Sequence, residues 1–186
     1  MPLYQSTVNT GSEQFLQNRR DMLERIEQMR EILGRSAALS DRSLPKFEKR
    51  GQLLPRERLS RILDPGMPFL ELMAMAGFLV ETDDRESSVP GCNSICGIGY
   101  IGGVRCMLMV DDSGINAGAM TALSTTKACR TMDIAREKKL PLVHLVESAG
   151  ANLLEYKVEM WMEGGGVFAR LARLSAAGVP TFVVLH

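Results

Sequence analysis

The sequence predicts an α/β fold: a sheet whose later strands run parallel, flanked by helices and preceded by a helical arm. Three observations predict it. Two short apolar runs, Ser94 to Ile101 and Val104 to Val110, are separated only by Gly102-Gly103, the signature of a tight hairpin. Two helix–strand steps then repeat one pattern. Basic or small residues end a helix, a proline follows, and an apolar strand begins. The segments are Lys139-Leu140-Pro141-Leu142-Val143 and Gly178-Val179-Pro180-Thr181-Phe182. Repeated αβ units favour parallel strands. Finally, Phe15, Met22 and Met29 are spaced by seven, with Ile26 and Leu33 on a second row, which marks an amphipathic helix in front of the sheet.

Taken in order, residues 12 to 33 form that helix. Ser12 caps it, Glu13 suits the positive end of its dipole, and Gly34 is the expected stop. Its apolar seam, interrupted by Arg19, fits either a partner helix or the chain's own domain. Lys46-Phe47-Glu48-Lys49-Arg50 is a charge run, expected as a solvated face. Pro55 opens a short helix that Asp64-Pro65-Gly66 closes, and Phe69, Leu70 and Leu72 follow as a short apolar segment. Residues 81 to 91 are polar and contain Pro90-Gly91, so an exposed loop is expected. Beyond the hairpin come a small-residue loop from Ser113 to Met120 and a helix over 124–139. Pro141 to Val146 is continuously apolar, the pattern of a strand buried on both faces. A helix over 164–177 and a second buried strand, Pro180 to Leu185, complete the pattern.

Bulk properties narrow the function. The 186 residues carry 22 Lys plus Arg against 22 Asp plus Glu, so the net charge of zero offers nothing for nucleic acid or an anionic membrane. No apolar run approaches the roughly 20 residues that span a bilayer. The polar stretch Met1 to Gly11 lacks an apolar core or an Arg-rich amphipathic presequence. A cytoplasmic protein is expected, with no membrane and no nucleic acid among its partners. Cys92, Cys96, Cys106 and Cys129 read as thiols of a reducing compartment. Only the first two are close together, and no second pair follows at zinc spacing, so no metal site is expected.

Several motifs fail on context. Gly97-Ile98-Gly99-Tyr100-Ile101-Gly102 matches the dinucleotide pattern but leads into a strand, whereas a pyrophosphate needs the helix N-terminus. Ser148 lies in Glu-Ser-Ala-Gly, which is not a nucleophile elbow. His144 sits within a strand pattern and reads as a core or sheet-face residue. Asp111 and Asp112 are adjacent, so an extended chain points them apart and makes them a poor acid–base pair. What remains is Ser148-Ala149-Gly150-Ala151-Asn152, small residues at the carboxyl end of a buried strand. Ligands of open α/β sheets bind at such ends, and backbone N–H groups there can hold an oxyanion. A tight turn with no ligand is the alternative.

Gly51-Gln52-Leu53-Leu54-Pro55-Arg56-Glu57-Arg58-Leu59, Leu63-Asp64-Pro65-Gly66 and Phe69-Leu70-Glu71-Leu72 resemble the entry segment of acyl-CoA carboxylase carboxyltransferase (beta) subunits. The resemblance continues through Gly97-Ile98-Gly99, Gly102 to Asp112, Lys127 to Lys139, Leu145 to Leu153, Phe168-Ala169-Arg170 and Leu174 to Pro180. It covers nearly all of residues 46 to 186, in a fixed order of motifs. The resemblance divides the chain into an arm, 1–45, and the N-terminal part of a first crotonase-like domain, 46–186.

The resemblance implies a crotonase-like spiral of ββα units, incomplete here, and the transfer of a carboxylate from carboxybiotin to an acyl-CoA through an enolate. It implies backbone oxyanion donors at Ala149, Gly150 and Ala151, substrate contacts from Ser148 and Asn152, and CoA phosphates near Lys127 and Arg130. The biotin would ride on a biotin carboxylase/biotin carrier (alpha) subunit, and the complete beta subunit would form a hexamer. In such subunits a Gly-Gly pair after the next strand gives a further oxyanion donor, and a second domain supplies the biotin side of the site. The chain ends at His186, before either, so no activity is expected of these 186 residues alone. The carboxyltransferase of a biotin-dependent, sodium-pumping decarboxylase and a non-catalytic crotonase-like scaffold are the competing expectations.

Overall fold

The structure, a computed structural model, describes residues 5–151 and 158–185. Helix α1 (Glu13–Asp41) starts as expected: Ser12 accepts the N–H of Phe15. It does not stop at Gly34 but runs on to Asp41. A glycine inside a helix costs only about 1 kcal/mol, and tertiary docking outweighs it. Ile32 is buried, Arg35 donates to the carbonyls of Arg85 and Ser88, and the Ser40 hydroxyl reaches Asp112 at 3.1 Å. These contacts all lie in the second half of the helix. The part of the helix before Arg30 presents Leu16, Met22, Leu23 and Met29 to solvent.

Two short helices follow, α2 (Leu44–Lys49) and α3 (Pro55–Ile62), each with proline in its first turn. Strand β1 (Leu70–Leu72) leads to the hairpin of β2 (Ser94–Ile101) and β3 (Val104–Asp111). The hairpin turns where the Gly-Gly pair predicts it, with Gly102 and Gly103 both at positive φ. Asp64 fixes the tip, since its carboxylate oxygens accept the N–H groups of Gly102 and Gly103, each at 2.7 Å. The glycines that mimic a dinucleotide motif have a packing reason. A Cβ on Gly97 would meet the Phe69 ring and the Leu70 carbonyl, and one on Gly99 would meet Leu63.

Strand β4 (Ala119–Met120) precedes α4 (Ala122–Lys138). Thr121 and Ser124 cap that helix reciprocally, a capping box that starts it two residues before the sequence pattern does. Then come β5 (Leu142–Val146), β6 (Gly150–Ala151), α5 (Val158–Ala176) and β7 (Thr181–Leu185). Helix α5 begins six residues before the predicted 164 and passes through a run of three glycines. It packs along α4, where Arg170 binds Asp133 at 2.9 Å. The main sheet has the order β1-β2-β3-β5-β7. The first two pairings are antiparallel, and β3–β5 and β5–β7 are parallel, as the repeated units predict. A second, two-stranded sheet pairs β4 with β6 in parallel.

Alternation along β3 builds a core on each face of the sheet. Met107 and Met109 join Met132, Leu142 and Leu174 on the α4–α5 side. Cys106, Leu108 and Val110 join Leu59, Val143 and Leu145 on the α3 side. Full burial of one such side chain is worth about 1.5–3 kcal/mol. The expectation of a second buried strand fails at β7. All five residues are exposed, Leu185 by 76%, because β7 is the sheet edge and pairs only with β5. The loop over 81–91 is exposed only in part, since Ser88 and Pro90 are buried and the Ser88 hydroxyl accepts the N–H of Leu79. The four cysteines form no disulfide, and three of them are buried.

Candidate functional site at the carboxyl end of the parallel strands

Three segments converge beyond the carboxyl ends of β3 and β5. They are the turn after β3 (Asp112 to Gly118), the turn after β5 (Glu147 to Ala151), and helix α2 with the end of α1. Buried polar contacts lock them together. Arg58, on α3, donates to the Glu147 carboxylate at 2.8 Å and to the Asp111 carbonyl at 2.7 Å. Asp111 accepts the Glu147 N–H at 3.2 Å and lies 3.1 Å from His144 Nε2. A carboxylate can only accept, so it fixes the ring with Nε2–H toward Asp111. Asp112 turns the other way, toward Ser40 and the Gly114 N–H. Burial pushes its carboxyl above the usual aspartate value, against the pull of Ser40 and Gly114. The two aspartates thus serve opposite sides of the strand end, as their adjacency predicts.

The loop that follows β5 is held at short range. The Ser148 hydroxyl donates to the Gly118 carbonyl at 2.9 Å, and the Ala149 N–H reaches the same carbonyl at 3.3 Å. The Gly150 N–H lies 3.0 Å from Ser148 Oγ. Gly150 has φ of 83°, a conformation open to glycine, and a Cβ there would meet nothing within 4 Å. Ala149, Gly150 and Ala151 are all exposed. Gly118, at φ 73°, is the tight contact beneath them: a Cβ would strike the Glu147 carbonyl and lie 3.2 Å from Ser148 Cα.

Two cavities meet at Ser148. One, of about 240 Å³, lies under the sheet among Met109, Met120, Met132, Leu171 and Val183, with Asp111 and His144 in its wall. The other is an open groove of about 640 Å³. Ser148 and Ala149, Lys46 and Arg50, and Asn116 and Ala117 all line it. Asn116 and Ala117 are both exposed and both have positive φ.

Of the residues singled out from sequence, Ser148, Ala149, Gly150 and Ala151 come together here. The N–H groups of Ala149 and Gly150 are engaged inside the loop, not standing free. Asn152 lies outside the described residues. Lys127 is elsewhere. It is only 3% exposed, and its ammonium donates to the Gly91 carbonyl at 2.9 Å and to the Ser94 carbonyl. A buried ammonium satisfied by two carbonyls is a structural tie, set apart from the Ser148 loop. Arg130 stands on an exposed face of α4, 4.0 Å from Glu137, and lines a shallow groove with Asp133 and Arg170 that does not include the Ser148 loop. Sequence reasoning passed over Gly118, Arg58 and the Asp111–His144 contact. The small-residue run over 113–120 was the one visible signal for the first.

Comparisons with known proteins identify the family and the fold. The family model described as "Carboxyl transferase domain" matches residues 46–186. A probable biotin-dependent acyl-coenzyme A carboxylase beta2 subunit of Mycobacterium tuberculosis is 32% identical over 98% of this chain and 34% of its own length. A probable mitochondrial methylcrotonoyl-CoA carboxylase beta chain of Drosophila melanogaster is 30% identical over 97% of this chain and 31% of its own. Among solved structures, the geranyl-CoA carboxylase beta subunit of P. aeruginosa superposes with a TM-score of 0.86. It is 43% identical and covers 98% of this chain and 34% of its own. The transcarboxylase 12S hexamer with methylmalonyl-coenzyme A and methylmalonic acid bound gives 0.76 at 26% identity, over 88% of this chain and 32% of its own. The chain spans about a third of the length of these relatives. The α/β architecture is the N-terminal part of the crotonase-like carboxyltransferase fold.

Proposed function

The chain belongs to the carboxyl transferase domain family. From that premise we propose that it is part of the carboxyltransferase (beta) subunit of a biotin-dependent acyl-CoA carboxylase. Biotin, carried on an alpha subunit, brings the carboxyl group to the site, and the beta subunit works as a hexamer in the cytoplasm. The absence of disulfides fits a reducing compartment. No helix among the described residues is long and apolar enough to cross a membrane.

The reading rests most on one observation. The Gly150 N–H lies in the segment that follows a buried parallel strand, 3.0 Å from the side-chain hydroxyl of Ser148, at an exposed position with open space beside it. When an acyl-CoA loses its α proton, the thioester oxygen becomes anionic. A charged acceptor makes a hydrogen bond roughly twice as strong as a neutral one, so that oxygen outcompetes the Ser148 hydroxyl for the Gly150 N–H. Ser148 keeps its own bond to Gly118 and holds the loop during the exchange. The Ala149 N–H, 3.3 Å from Gly118, is the weaker bond and a second donor within reach of a small shift. The 240 Å³ cavity behind Ser148 gives the apolar acyl group a place out of water.

The test is Gly150→Val in the complete beta subunit, assembled with its biotin-bearing partner and assayed with acyl-CoA, bicarbonate and ATP. The added side chain enters open space, so the protein survives it apart from local backbone strain of about 1–2 kcal/mol. It occupies the place of the thioester. Loss of one oxyanion donor costs about a hundredfold to a thousandfold in kcat. Normal kinetics with several acyl-CoAs would reduce the loop to a plain turn.

A further inference from the structure

We propose that Lys46 and Arg50 form a clamp for the phosphates of the acyl-CoA, in the groove that Ser148 and Ala149 also line. The proposal rests on the reading of the site as an acyl-CoA site and deepens it. Lys46 on α2 and Arg50 at its C-cap stand about one helical turn apart. Phe47, between them, is 2% exposed and fixes the roll of this short helix against the core. That anchoring sorts the charge run. Lys46 and Arg50 line the groove, while Glu48, the one acid of the run, does not. Among the described residues neither cation is given an ion pair, unlike Arg35, Arg56, Arg58, Arg61 and Arg170. The one acid on the groove wall, Glu147, has its carboxylate on the buried Arg58. Two cations without an ion pair among the described residues therefore line this groove on a chain whose net charge is zero.

The ligand chemistry follows from the lining. The groove brings two cations together with the small-residue backbone of Ser148 and Ala149. It suits a molecule that carries both phosphate anions and an uncharged reactive group. An acyl-CoA is such a molecule. A free nucleotide shares only the phosphate end, so the two sources can be separated.

The experiment measures binding and turnover in the complete, assembled enzyme. Wild type, Lys46→Ala, Arg50→Ala and the double variant are each given acyl-CoA, the matching acyl-pantetheine, which lacks the phosphates, and ATP as a free polyphosphate. The expected result is a rise in acyl-CoA KM of about tenfold for each single change, ~1.4 kcal/mol, with kcat held. Acyl-pantetheine kinetics stay at wild type, and the salt dependence of acyl-CoA binding flattens in the double variant. Unchanged acyl-CoA KM in all three variants overturns the clamp and leaves the carboxyltransferase reading standing. ATP binding at this groove as tight as acyl-CoA binding, with no gain from the acyl-pantetheine arm, overturns it too. An enzyme that carboxylates neither acyl-CoA nor acyl-pantetheine sinks the functional reading itself.

Discussion

Arg58 and Glu147 meet at 2.8 Å with both side chains 8% exposed, and this one ion pair ties α3 to the first residue of the loop after β5. The same guanidinium holds the carbonyl of Asp111, at the end of β3. Two parallel strand ends and a helix that precedes the sheet in sequence therefore share a single cation.

Removing that cation takes the ion-pair partner from a buried carboxylate. We expect Arg58→Met to destabilise the chain by about 3–5 kcal/mol in urea unfolding. Adding Glu147→Leu removes the buried negative charge and recovers most of the loss. A double variant as unstable as the single one would show that the pair contributes through packing alone.

Gly118 predicts a sharper effect. A side chain there meets the Glu147 carbonyl and Ser148 Cα, which are backbone and cannot swing away, and φ of 73° adds strain. Gly118→Ala should cost more than about 1 kcal/mol in stability. In the assembled enzyme it should lower kcat/KM about a hundredfold, because displacing the donor loop by about 1 Å is worth that much. Wild-type kcat/KM for Gly118→Ala would separate the loop from the chemistry.

Asp112 gives a pH dependence. Burial raises its folded-state pKa above the ordinary value of 3.8, against the pull of Ser40 and Gly114. The folded protein then binds the proton more readily than the unfolded chain. Its contribution to stability is present at low pH and is lost as pH rises through the folded-state pKa. Asp112→Asn keeps an oxygen for Ser40 and Gly114 and removes the charge. The stability difference, variant minus wild type, should be largest at neutral pH and shrink toward pH 4. A difference independent of pH would mean that Asp112 titrates normally.

Lys127 and Lys46 make a contrasting pair. Lys127→Met leaves two carbonyls without their donor and should destabilise by about 1–3 kcal/mol. It should leave the acyl-CoA KM of the surviving folded enzyme unchanged. A raised KM at unchanged stability would return Lys127 to the phosphate site.

At β7, Phe182 is 55% exposed on an edge strand, beside Val184 at 48%. Open apolar edges pair with other chains. Phe182→Lys should reduce light scattering of the 186-residue chain without changing its unfolding midpoint. Equal scattering would exclude this edge as the route of association.

What the sequence alone determined is local. Hydrophobic period, glycine pairs and prolines located the hairpin, the parallel αβ units and the Ser148 to Ala151 loop, because those signals act over a few residues. Thr121-x-x-Ser124 is a local cap signal of the same short range, and it starts α4 at Ala122. Ordered motifs identified the family, since many weak patterns in one order are specific where each alone is not. Tertiary structure decided the rest. It carried α1 past Gly34, because Arg35 and Ser40 dock on residues about 50 and 72 positions away. It left β7 exposed at the sheet edge, although its apolar run reads like that of β5, because burial depends on what packs against a strand and not on its composition. It also sorted the cations. Lys127, Arg130, Lys46 and Arg50 carry the same charge in sequence, and only the fold turns one into a buried tie, leaves one on an open helix face, and sets two beside the groove.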